Sequence, residues 1–410
     1  PAAAAQPVAP SANRREERRI ARLIAIDVSP ETPTRSRRRR ISSATSNVDL
    51  HRRRTLLMLR SLGRFRAAAA SAAALGVAGY SASSSTNCIS KPDGLTKQRT
   101  ADYTLAAHYH GKRSVRVLRV RRQESGLETV QEYNVQTRLF SPEYSKTFTH
   151  EDNSGLVATD TQKNTVYVVA QRTDATTPEA YGADLCRHLL IEYPLLSAVE
   201  VDVTESLWQR ATTAAGEPHD HGFVKASPEC ALATVRLTRA APDSPEVTSG
   251  LSGLTVLKTT QSGFEGYLHD KYTLLPDTRE RCMATEMEVH WSYVPSAPKG
   301  KGKGSGGEAA PDYARVRETV RNEMLRGFYG PPSGGVYSPS LQATIYDAGC
   351  LVLKAAPRVA SISIFTPNIH MIPMKQLSAL GGPGQPGFQD DVYIATSEPS
   401  GTISCTVDRS

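Results

Sequence analysis

From Leu105 onward, hydrophobic and polar residues alternate along several segments of the chain, which predicts strands that bury one face. The clearest runs are 199–204, where valine alternates with acidic residues and threonine, and 285–291, where apolar residues alternate with glutamate and histidine. Further strands are predicted at 115–120, 129–139, 165–170, 234–238, 361–365, 392–395 and 403–407. Most of the folded chain is therefore predicted to be β-structure.

Three helices are predicted from capping residues and helical spacing. Thr177 can cap the first helix, Pro178 suits its first position, and Pro194 ends it. The other two are marked by apolar residues at helical spacing: Tyr313, Val316, Val320, Met324 and Phe328, ending near Gly330, and Leu341, Ile345, Leu351 and Val352, ending before Pro357.

The order of these elements predicts an α+β fold built from two similar halves. Each half would contain an antiparallel sheet with helices on one face, since a hairpin, then helices, then strands occur twice along the chain. The join is predicted at 241–249, where Pro242 and Pro245 interrupt the pattern. We therefore assign residues 101–242 to a first repeat and residues 243–410 to a second.

The first 100 residues differ from the rest in charge and composition. Residues 1–66 contain sixteen arginines and five acidic residues, a net charge of +11; the whole chain has +8, so the remaining residues sum to −3. So few aliphatic residues cannot bury enough apolar surface to offset the backbone entropy, and we predict a disordered extension over 1–100. Its composition resembles an organellar transit segment; an extension without function is the alternative.

The charge distribution and the cysteine spacing limit which partners and which kinds of binding site we expect in this protein. Because the positive charge is concentrated in the extension, the folded part is not expected to bind nucleic acid or a membrane. The six cysteines include no Cys-x-x-Cys pair, which fits neither a disulfide framework nor a zinc site. No stretch approaches the ~20 apolar residues of a membrane span. The glycine-rich segment 299–307 is predicted to be a flexible surface insertion.

Four polar patches are candidates for chemistry. They are Gly111-Lys112 before a predicted strand, the hydroxyl-rich and amide-rich stretch 152–165, the stretch 253–285 with Phe264 and Arg281, and the stretch 367–370 after a strand. Taken singly, each has an ordinary structural explanation, such as a solvated strand end, a helix cap or a surface histidine. Spacing alone therefore does not identify a site.

Two histidine pairs suggest a metal site as an alternative. His108 and His110, and likewise His219 and His221, are two residues apart and would project to one side of a strand. No third ligand stands at a diagnostic spacing, and the sequence contains neither a His-Glu-x-x-His motif nor a Walker-type phosphate loop.

Seven segments, which include the four patches, resemble the urate oxidase family. The two longest are EDNSGLVATDTQKNTVYVVAQ at 151–171 and LSGLTVLKTTQSGFEGYLHDKYTLLPDTRERCMAT at 251–285. The others are HGKRSVRVLRV (110–120), GEPHDHGF (216–223), SLQATIYDAG (340–349), TPNIHMIP (366–373) and DDVYIATSEPSGTISCTV (390–407). They occur in the family's order and span essentially all of residues 105–410, whereas the first 100 residues have no counterpart.

The resemblance implies the tunnelling fold, two tandem antiparallel-sheet repeats, in agreement with the two-half pattern. It also implies a homotetramer whose sheets surround a tunnel, with active sites at subunit interfaces. The reaction implied is oxidation of urate by O2 and water to 5-hydroxyisourate and hydrogen peroxide, on the route to allantoin. Neither a metal nor an organic cofactor is implied.

Carried over by position, the resemblance assigns roles to nine residues. The catalytic proton relay would comprise Lys112, Thr159 and His370. The substrates would be bound by Thr159, Asp160, Phe264, Arg281, Leu341, Gln342 and Asn368. Leu341 would contribute a backbone contact, and Asn368 with Thr159 would hold O2 or water above the purine. Thr159 and Asp160 would reach urate that is bound mainly by a neighbouring subunit.

These roles are chemically coherent. Urate is a planar, acidic purine, so the guanidinium of Arg281 opposite the carboxamide of Gln342 matches its edge with directed hydrogen bonds. The ring of Phe264 offers an aromatic face for offset stacking. Oxidation without a cofactor requires an electron-rich urate and hence a base that removes a proton, the role assigned to Lys112.

Alternatives remain for the chemistry, for the extension and for the location in the cell. A metal-dependent hydrolase of pterins or purines on the same fold would use the histidine pairs, and the arginine-rich extension would bind nucleic acid or anionic membranes in a separate role. Peroxisomal members of the family end in Ser-Lys-Leu, which residues 406–410 lack. A peroxisomal location is therefore expected from the resemblance alone.

Overall fold

The computed structural model describes residues 103–122, 126–225, 227–295, 310–379 and 389–410. The predicted extension, 1–100, and the predicted insertion, 299–307, lie outside these ranges. Within them the fold is a large antiparallel sheet with helices packed against it, which confirms the predicted α+β class. No helix in this described part is long and apolar enough to cross a membrane.

The strands and helices are numbered here in chain order. The strands are β1 (His110–Arg122), β2 (Glu128–Phe140), β3 (Ala198–Ser206), β4 (Gln209–Thr212), β5 (Pro218–Val224), β6 (Cys230–Thr238), β7 (Ala241–Lys258), β8 (Met283–Tyr293), β9 (Val359–Pro373), β10 (Tyr393–Thr396) and β11 (Thr402–Asp408). The helices are α1 (Ser145–His150), α2 (Thr159–Arg172), α3 (Pro178–Glu192), α4 (Tyr313–Tyr329) and α5 (Leu341–Ala355).

The main sheet has the strand order β1-β2-β3-β6-β7-β8-β9, and β9 pairs on its outer side with both β10 and β11. All neighbouring strands of this sheet are antiparallel. Strands β4 and β5 form a separate hairpin. Strand β1 therefore lies at one edge of the main sheet, and β9 with its two short partners lies at the other.

Two hydrophobic cores lie between the sheet and the helices. The first contains residues of β1, β2, β3 and β6 together with α2 and α3, and Tyr181 and Leu185 are fully buried in it. The second contains residues of β7, β8 and β9 together with α4 and α5, and Trp291 and Phe328 are fully buried there. Full burial of each such side chain contributes about 1.5–3 kcal/mol to stability. The exact repeat boundaries, 101–242 and 243–410, stay a prediction.

The three predicted helices are confirmed, together with the residues that start or end them. Helix α3 begins at Pro178, and the hydroxyl of the preceding Thr177 accepts a hydrogen bond of 3.3 Å from the backbone N–H of Ala180. Helix α4 is followed by Gly330 with a φ of 72°, and helix α5 is capped by Ser340. Local capping chemistry thus fixed these boundaries.

One predicted strand, 165–170, is wrong, because these residues lie inside helix α2. Its valines, threonine and tyrosine favour a strand locally. The buried residues of α2 instead recur at helical spacing and pack into the first core: Gln162, Val166, Val169 and Ala170. Packing against the sheet therefore overrides the local preference.

The predicted join at 241–249 stays a prediction, but the chain does not leave the sheet there, because these residues form the first part of strand β7. Pro242 and Pro245 lie where the pairing of β6 with β7 is irregular, next to the turn that joins them. Proline is tolerated at such positions because no ladder hydrogen bond is lost. Strand β7 continues to Lys258 and pairs with β8, so it carries the sheet from one core to the other.

Candidate active site

Three of the predicted site residues lie at the β1 edge of the sheet. Lys112 is near the start of β1, and Thr159 and Asp160 form the first turn of α2. Lys112 and Thr159 are half-buried, whereas Asp160 is exposed. The pKa of the Asp160 carboxyl is lowered, mainly by a hydrogen bond from Lys163 and also by the positive charge of Lys112. We call Lys112, Thr159 and Asp160 the first corner.

The backbone around Lys112 is shaped by a glycine and a bulge. A Cβ on Gly111 would lie 2.1 Å from the carbonyl oxygen of Thr137, so only glycine allows β1 and β2 to approach this closely. The register of β1 and β2 then shifts between Lys112 and Val115, and Ser114 adopts a left-handed conformation with a φ of 60°. A bulge of this kind redirects side chains and separates Lys112 from the regular ladder that follows.

The exposed carboxylate of Asp160 is held by two side chains of its own helix. Lys163 Nζ lies 2.5 Å from Asp160 Oδ1, and Asn164 Nδ2 donates to Asp160 Oδ2 at 2.9 Å. Both residues belong to the polar stretch 152–165, but no role was predicted for either of them. Their positions three and four residues after Asp160 are the spacing at which helical side chains meet, so assigning 165–170 to a helix would have identified them.

Two more predicted residues lie on the loop that joins β7 to β8. Phe264 exchanges two backbone hydrogen bonds with Thr278, of 2.7 and 2.9 Å. The backbone N–H of Arg281 donates to the carbonyl of Ser262 at 2.9 Å, and the Ser262 hydroxyl donates to the carbonyl of Arg281 at 2.7 Å. These bonds bring the guanidinium carbon of Arg281 to 5.4 Å from the centre of the Phe264 ring.

The Arg281 side chain carries an unsatisfied donor. Its Nε atom is buried and has no hydrogen-bond partner in the described part of the chain, and burial lowers the pKa of the guanidinium. A buried donor without an acceptor costs about 1–3 kcal/mol. Tyr267 stacks on Phe264 with ring centres 4.6 Å apart, so this part of the loop forms an aromatic surface beside an open hydrogen-bond donor.

Leu341 and Gln342 lie beside this loop, at the start of α5. The backbone N–H of Gly263 donates to the carbonyl of Ser338 at 2.9 Å, and the N–H of Ser338 donates to the carbonyl of Gln261 at 2.9 Å. These bonds hold the start of α5 against the residues that precede Phe264. The side chain of Leu341 is buried in the second core, whereas Gln342 is exposed. The side chain of Leu341 is therefore closed to a ligand, and its predicted backbone contact stays a prediction.

Asn368 and His370 lie on β9, next to the start of β8. Asn368 is opposite Thr285 in the β8–β9 ladder, and on its other side its backbone N–H donates to the carbonyl of Gly401 at 3.0 Å. His370 pairs with Thr396 of β10. Asn368 and His370 are half-buried. We call the group around the start of β8 the second corner; its members are Phe264, Arg281, Leu341, Gln342, Asn368 and His370.

The two corners lie diagonally opposite on the sheet. Strands β1 and β9 are six strand-to-strand steps apart, about 29 Å along the sheet at ~4.8 Å per step. The row of paired residues through Lys112 passes Thr137, reaches Val247 on β7, and meets β9 near Ser361. His370 is nine residues further along β9, about 30 Å at ~3.3 Å per residue. One chain therefore gathers the predicted residues into two groups, and it separates His370 from Lys112 and Thr159.

The histidine pairs that suggested a metal have other contacts. His108 Nε2 lies 3.1 Å from the carbonyl oxygen of Ser141, and the ring of His110 meets Tyr144 edge-on while burial lowers its pKa. His219 and His221 contact each other edge-on, with ring centres 4.6 Å apart. Within the described ranges, no three His, Cys, Asp or Glu side chains cluster closely enough to hold a metal ion.

Comparison with known proteins places this arrangement in a family. The family model described as Uricase matches residues 108–236 and 247–404. Uricase-2 isozyme 1 from Glycine max is 39% identical over 306 residues, and a uricase from Arabidopsis thaliana is 40% identical over 306 residues. Each of these alignments covers 73% of this chain and 94% of the relative.

Relatives of lower sequence identity align with a similar share of this chain. A uricase from Dictyostelium discoideum is 34% identical over 307 residues, which are 75% of this chain and 98% of the relative. The crystal structure of uricase from Arthrobacter globiformis superposes with a TM-score of 0.63 at 28% identity and covers 75% of this chain and 96% of that one. The matched residues include both corners and nearly all of both cores, and the chain belongs to the uricase family.

Proposed function

We propose that this protein is a urate oxidase that converts urate, O2 and water to 5-hydroxyisourate and hydrogen peroxide without a metal or organic cofactor. Within a chain of the uricase family, the observation that carries the proposal is the second corner. There a half-buried guanidinium with an unpartnered Nε–H lies beside the half-buried, stacked rings of Phe264 and Tyr267. A planar anion with acceptors along its edge complements both features.

In this proposal the second corner binds urate. Phe264 stacks on the purine, Arg281 and Gln342 hydrogen-bond its polar edge, and the backbone at Leu341 adds a contact. The loop bonds that fix Phe264 next to Arg281 support this assignment, because they hold ring and guanidinium in place before the ligand arrives. Asn368 is assigned to the O2 or water site.

The first corner of one subunit and His370 in the second corner of its neighbour supply the proton chemistry in this proposal. Lys112 acts as the base, and the Thr159 hydroxyl and His370 relay the proton that leaves urate. The resulting electron-rich urate gives up two electrons to O2, which leaves as hydrogen peroxide, and water adds to the oxidised ring. Asp160, which Lys163 and Asn164 hold in a fixed orientation, contacts urate together with Thr159.

A second subunit completes each site in this proposal. The two corners are diagonal on one sheet, so a twofold-related copy can place its first corner against the second corner of its neighbour. The same twofold rotation places the second corner of the first subunit against the first corner of its neighbour, so each pair of subunits contains two equal sites. We propose a homotetramer made of two such pairs.

The reaction is tested by an absorbance and peroxide assay on the purified protein with urate. We expect loss of urate absorbance in the near ultraviolet and an equal amount of hydrogen peroxide, with the same rate after treatment with a chelator. No turnover under these conditions contradicts the proposal. Turnover that stops on chelation contradicts its cofactor-free part and indicates that the oxidation depends on a metal ion.

The shared site is tested by combining two variants that are each impaired at a different corner. Lys112→Met damages only the first corner and Arg281→Gln only the second, so a mixed pair of subunits contains one site with both changes and one with neither. Random pairing makes about half of the pairs mixed, so about a quarter of all sites become intact. At a urate concentration no higher than the wild-type KM, where each variant alone is slow, activity well above that of either variant is expected after co-expression. Absence of recovery contradicts the shared site.

We further propose a peroxisomal location, which rests on the family resemblance. Two fluorescently labelled proteins are compared by microscopy. One has residues 1–100 replaced by an N-terminal tag, and the other keeps residues 1–100. Overlap with a peroxisomal marker in both supports the proposal. Movement to another organelle that requires residues 1–100 contradicts it and favours a transit segment.

A further inference from the structure

A buried glutamine lies directly behind the first corner. Gln162 is on α2, one turn after Thr159, and its side chain is fully buried although it is polar. A buried carboxamide is costly unless its atoms are hydrogen-bonded. Gln162 Oε1 accepts a hydrogen bond of 2.8 Å from the Thr137 hydroxyl, and Gln162 Nε2 donates to the carbonyl of Val157 at 3.1 Å. The side chain therefore spans from strand β2 to the segment that leads into α2.

Thr137 extends this contact to Lys112. Its side chain is 1% exposed, and its hydroxyl oxygen accepts a hydrogen bond of 3.3 Å from the backbone N–H of Lys112. This contact lies at the last regular pair before the bulge in β1. The side-chain hydroxyl thus tethers the backbone of Lys112 at the point where the strand ladder is interrupted.

The result is a continuous bridge between two elements that carry site residues. It runs from the Lys112 N–H to the Thr137 hydroxyl, through the carboxamide of Gln162, to the carbonyl of Val157, two residues before Thr159. Lys112 is on a strand and Thr159 is on a helix, and backbone pairing alone does not join them. Both bridging side chains are buried, so exchange with water does not weaken the bridge.

We propose that Gln162 and Thr137 are positioning residues that set the Thr159 hydroxyl relative to Lys112 for proton transfer. The proposal deepens the proposed function and rests on it. Neither residue touches urate, because both lie beneath the surface of the first corner. Their effect is on geometry, and a displacement of about 1 Å between reacting groups lowers a rate by roughly 100-fold.

The test uses substitutions that keep shape and remove hydrogen bonding. Gln162→Met and Thr137→Val are compared with the full-length wild-type chain for kcat and KM with urate, the pH dependence of kcat, and the melting temperature. We expect kcat to fall about 10- to 100-fold in each variant and KM to change less than about threefold. The pH at which kcat is greatest should also move, because the proton relay is misaligned.

The double variant tests whether both residues act through one bridge. If they do, Thr137→Val adds little to the loss caused by Gln162→Met, so the combined fold-loss is well below the product of the single losses. Losses that multiply contradict a common bridge and overturn the proposal.

A matched control separates positioning from general stability. Gln131 is also on the first-half sheet, is 7% exposed, and donates a hydrogen bond of 2.6 Å to the Tyr133 hydroxyl, roughly 20 Å along β2 from Thr137. Gln131→Met should lower the melting temperature about as much as Gln162→Met, while kcat per folded subunit and its pH dependence stay as in the wild type. Equal kinetic effects of the two substitutions overturn the proposal.

The outcome for the wild-type chain separates this inference from the function on which it rests. Inactive wild-type protein overturns the urate oxidase proposal and the role of Gln162 with it. Active wild-type protein with an unchanged kcat and pH dependence in Gln162→Met overturns the positioning role alone.

Discussion

The two corners differ in whether their polar side chains have hydrogen-bond partners within the chain. In the first corner the charged carboxylate of Asp160 is already hydrogen-bonded by Lys163 and Asn164, and the buried Gln162 has partners for both its oxygen and its nitrogen. In the second corner the buried Nε of Arg281 has no partner in the described chain. The polar groups at the first corner are thus hydrogen-bonded within the chain, whereas the second corner keeps a buried donor open for a ligand.

This difference indicates a division of labour. A group that must transfer a proton benefits from fixed surroundings, since no reorganisation is then needed during the reaction. A group that must bind gains most when the ligand relieves an existing cost, as an acceptor on Arg281 would. We therefore expect substitution of Lys112 to act mainly on kcat, and substitution of Arg281 or Phe264 mainly on KM.

The largest effect is expected from Lys112→Met. Removing the base should lower kcat about 100-fold or more, while KM for urate changes less than about threefold. Arg113→Met, which removes the neighbouring exposed cation of β1, is the control and should leave kcat within about twofold. Steady-state kinetics with urate measure both. A rise in KM with an unchanged kcat in Lys112→Met would contradict the proposed catalytic role of Lys112.

Arg281→Gln tests the opposite side of the comparison. Hydrogen bonds to a charged group contribute about 1.5–3 kcal/mol, so KM should rise roughly 10- to 150-fold, with a smaller change in kcat at saturating urate. Arg279→Gln is the matched control, because Arg279 is exposed and pairs on the surface with Glu265. Surface pairs contribute little, so its KM should stay near that of the wild type. Equal effects of the two substitutions would argue against urate binding at Arg281.

A smaller change in KM is expected from Phe264→Leu. Leucine keeps apolar area but removes ring stacking, a contribution of about 0.5–1.5 kcal/mol, so KM should rise roughly 2- to 12-fold. Tyr267→Leu removes the ring that stacks on Phe264 and should raise KM less. The same kinetic assay applies, and a larger effect of Tyr267→Leu would place the purine elsewhere on the aromatic surface.

The smallest effect on catalysis is expected from Glu205→Gln, because Glu205 belongs to neither corner. Burial raises the pKa of the Glu205 carboxyl to about 7, with Arg317 opposing and Glu179 adding to the rise. In the unfolded chain this carboxyl loses its proton near its ordinary pKa of 4.5, whereas the folded protein retains the proton up to about pH 7. The free energy of unfolding therefore falls as the pH rises from about 4.5 to about 7, by at most ~3 kcal/mol.

Replacing Glu205 with glutamine should remove that fall. The melting temperature of the variant should exceed that of the wild type at pH 8 and approach it at pH 4.5, with kcat and KM unchanged. Glu246→Gln, which removes an exposed carboxylate of β7, is the control and should follow the wild-type pH dependence. Parallel curves for Glu205→Gln and the wild type would show that this carboxyl does not cause the pH dependence.

Elements with a local chemical signal were predictable from the sequence. Thr177 and Pro178 start α3 because capping depends on adjacent residues, and the alternation at 199–204 lies within β3 because one of its faces is buried. The segment 165–170 was assigned to a strand because its side chains favour one locally, and only packing on the first core makes it a helix.

The site could be predicted only in part. Lys112, Phe264 and Arg281 were singled out as patches, but their roles came from resemblance, since spacing does not show which patches meet. The diagonal placement of the corners depends on the pairing register of seven strands, a non-local property that alternation leaves open. Gln162 lies in the polar stretch 152–165, where no residue was predicted to be buried, and its burial follows only from the packing of α2 on β2.

The diagonal distance between Lys112 and His370 has a consequence for how activity depends on the amount of protein. In the proposed assembly no isolated chain contains a working centre, so turnover is governed by mass action between chains. On dilution below the dissociation constant of the assembly, activity per milligram falls even though every chain remains folded. Urate bound across the contact favours association, so substrate itself protects a dilute preparation.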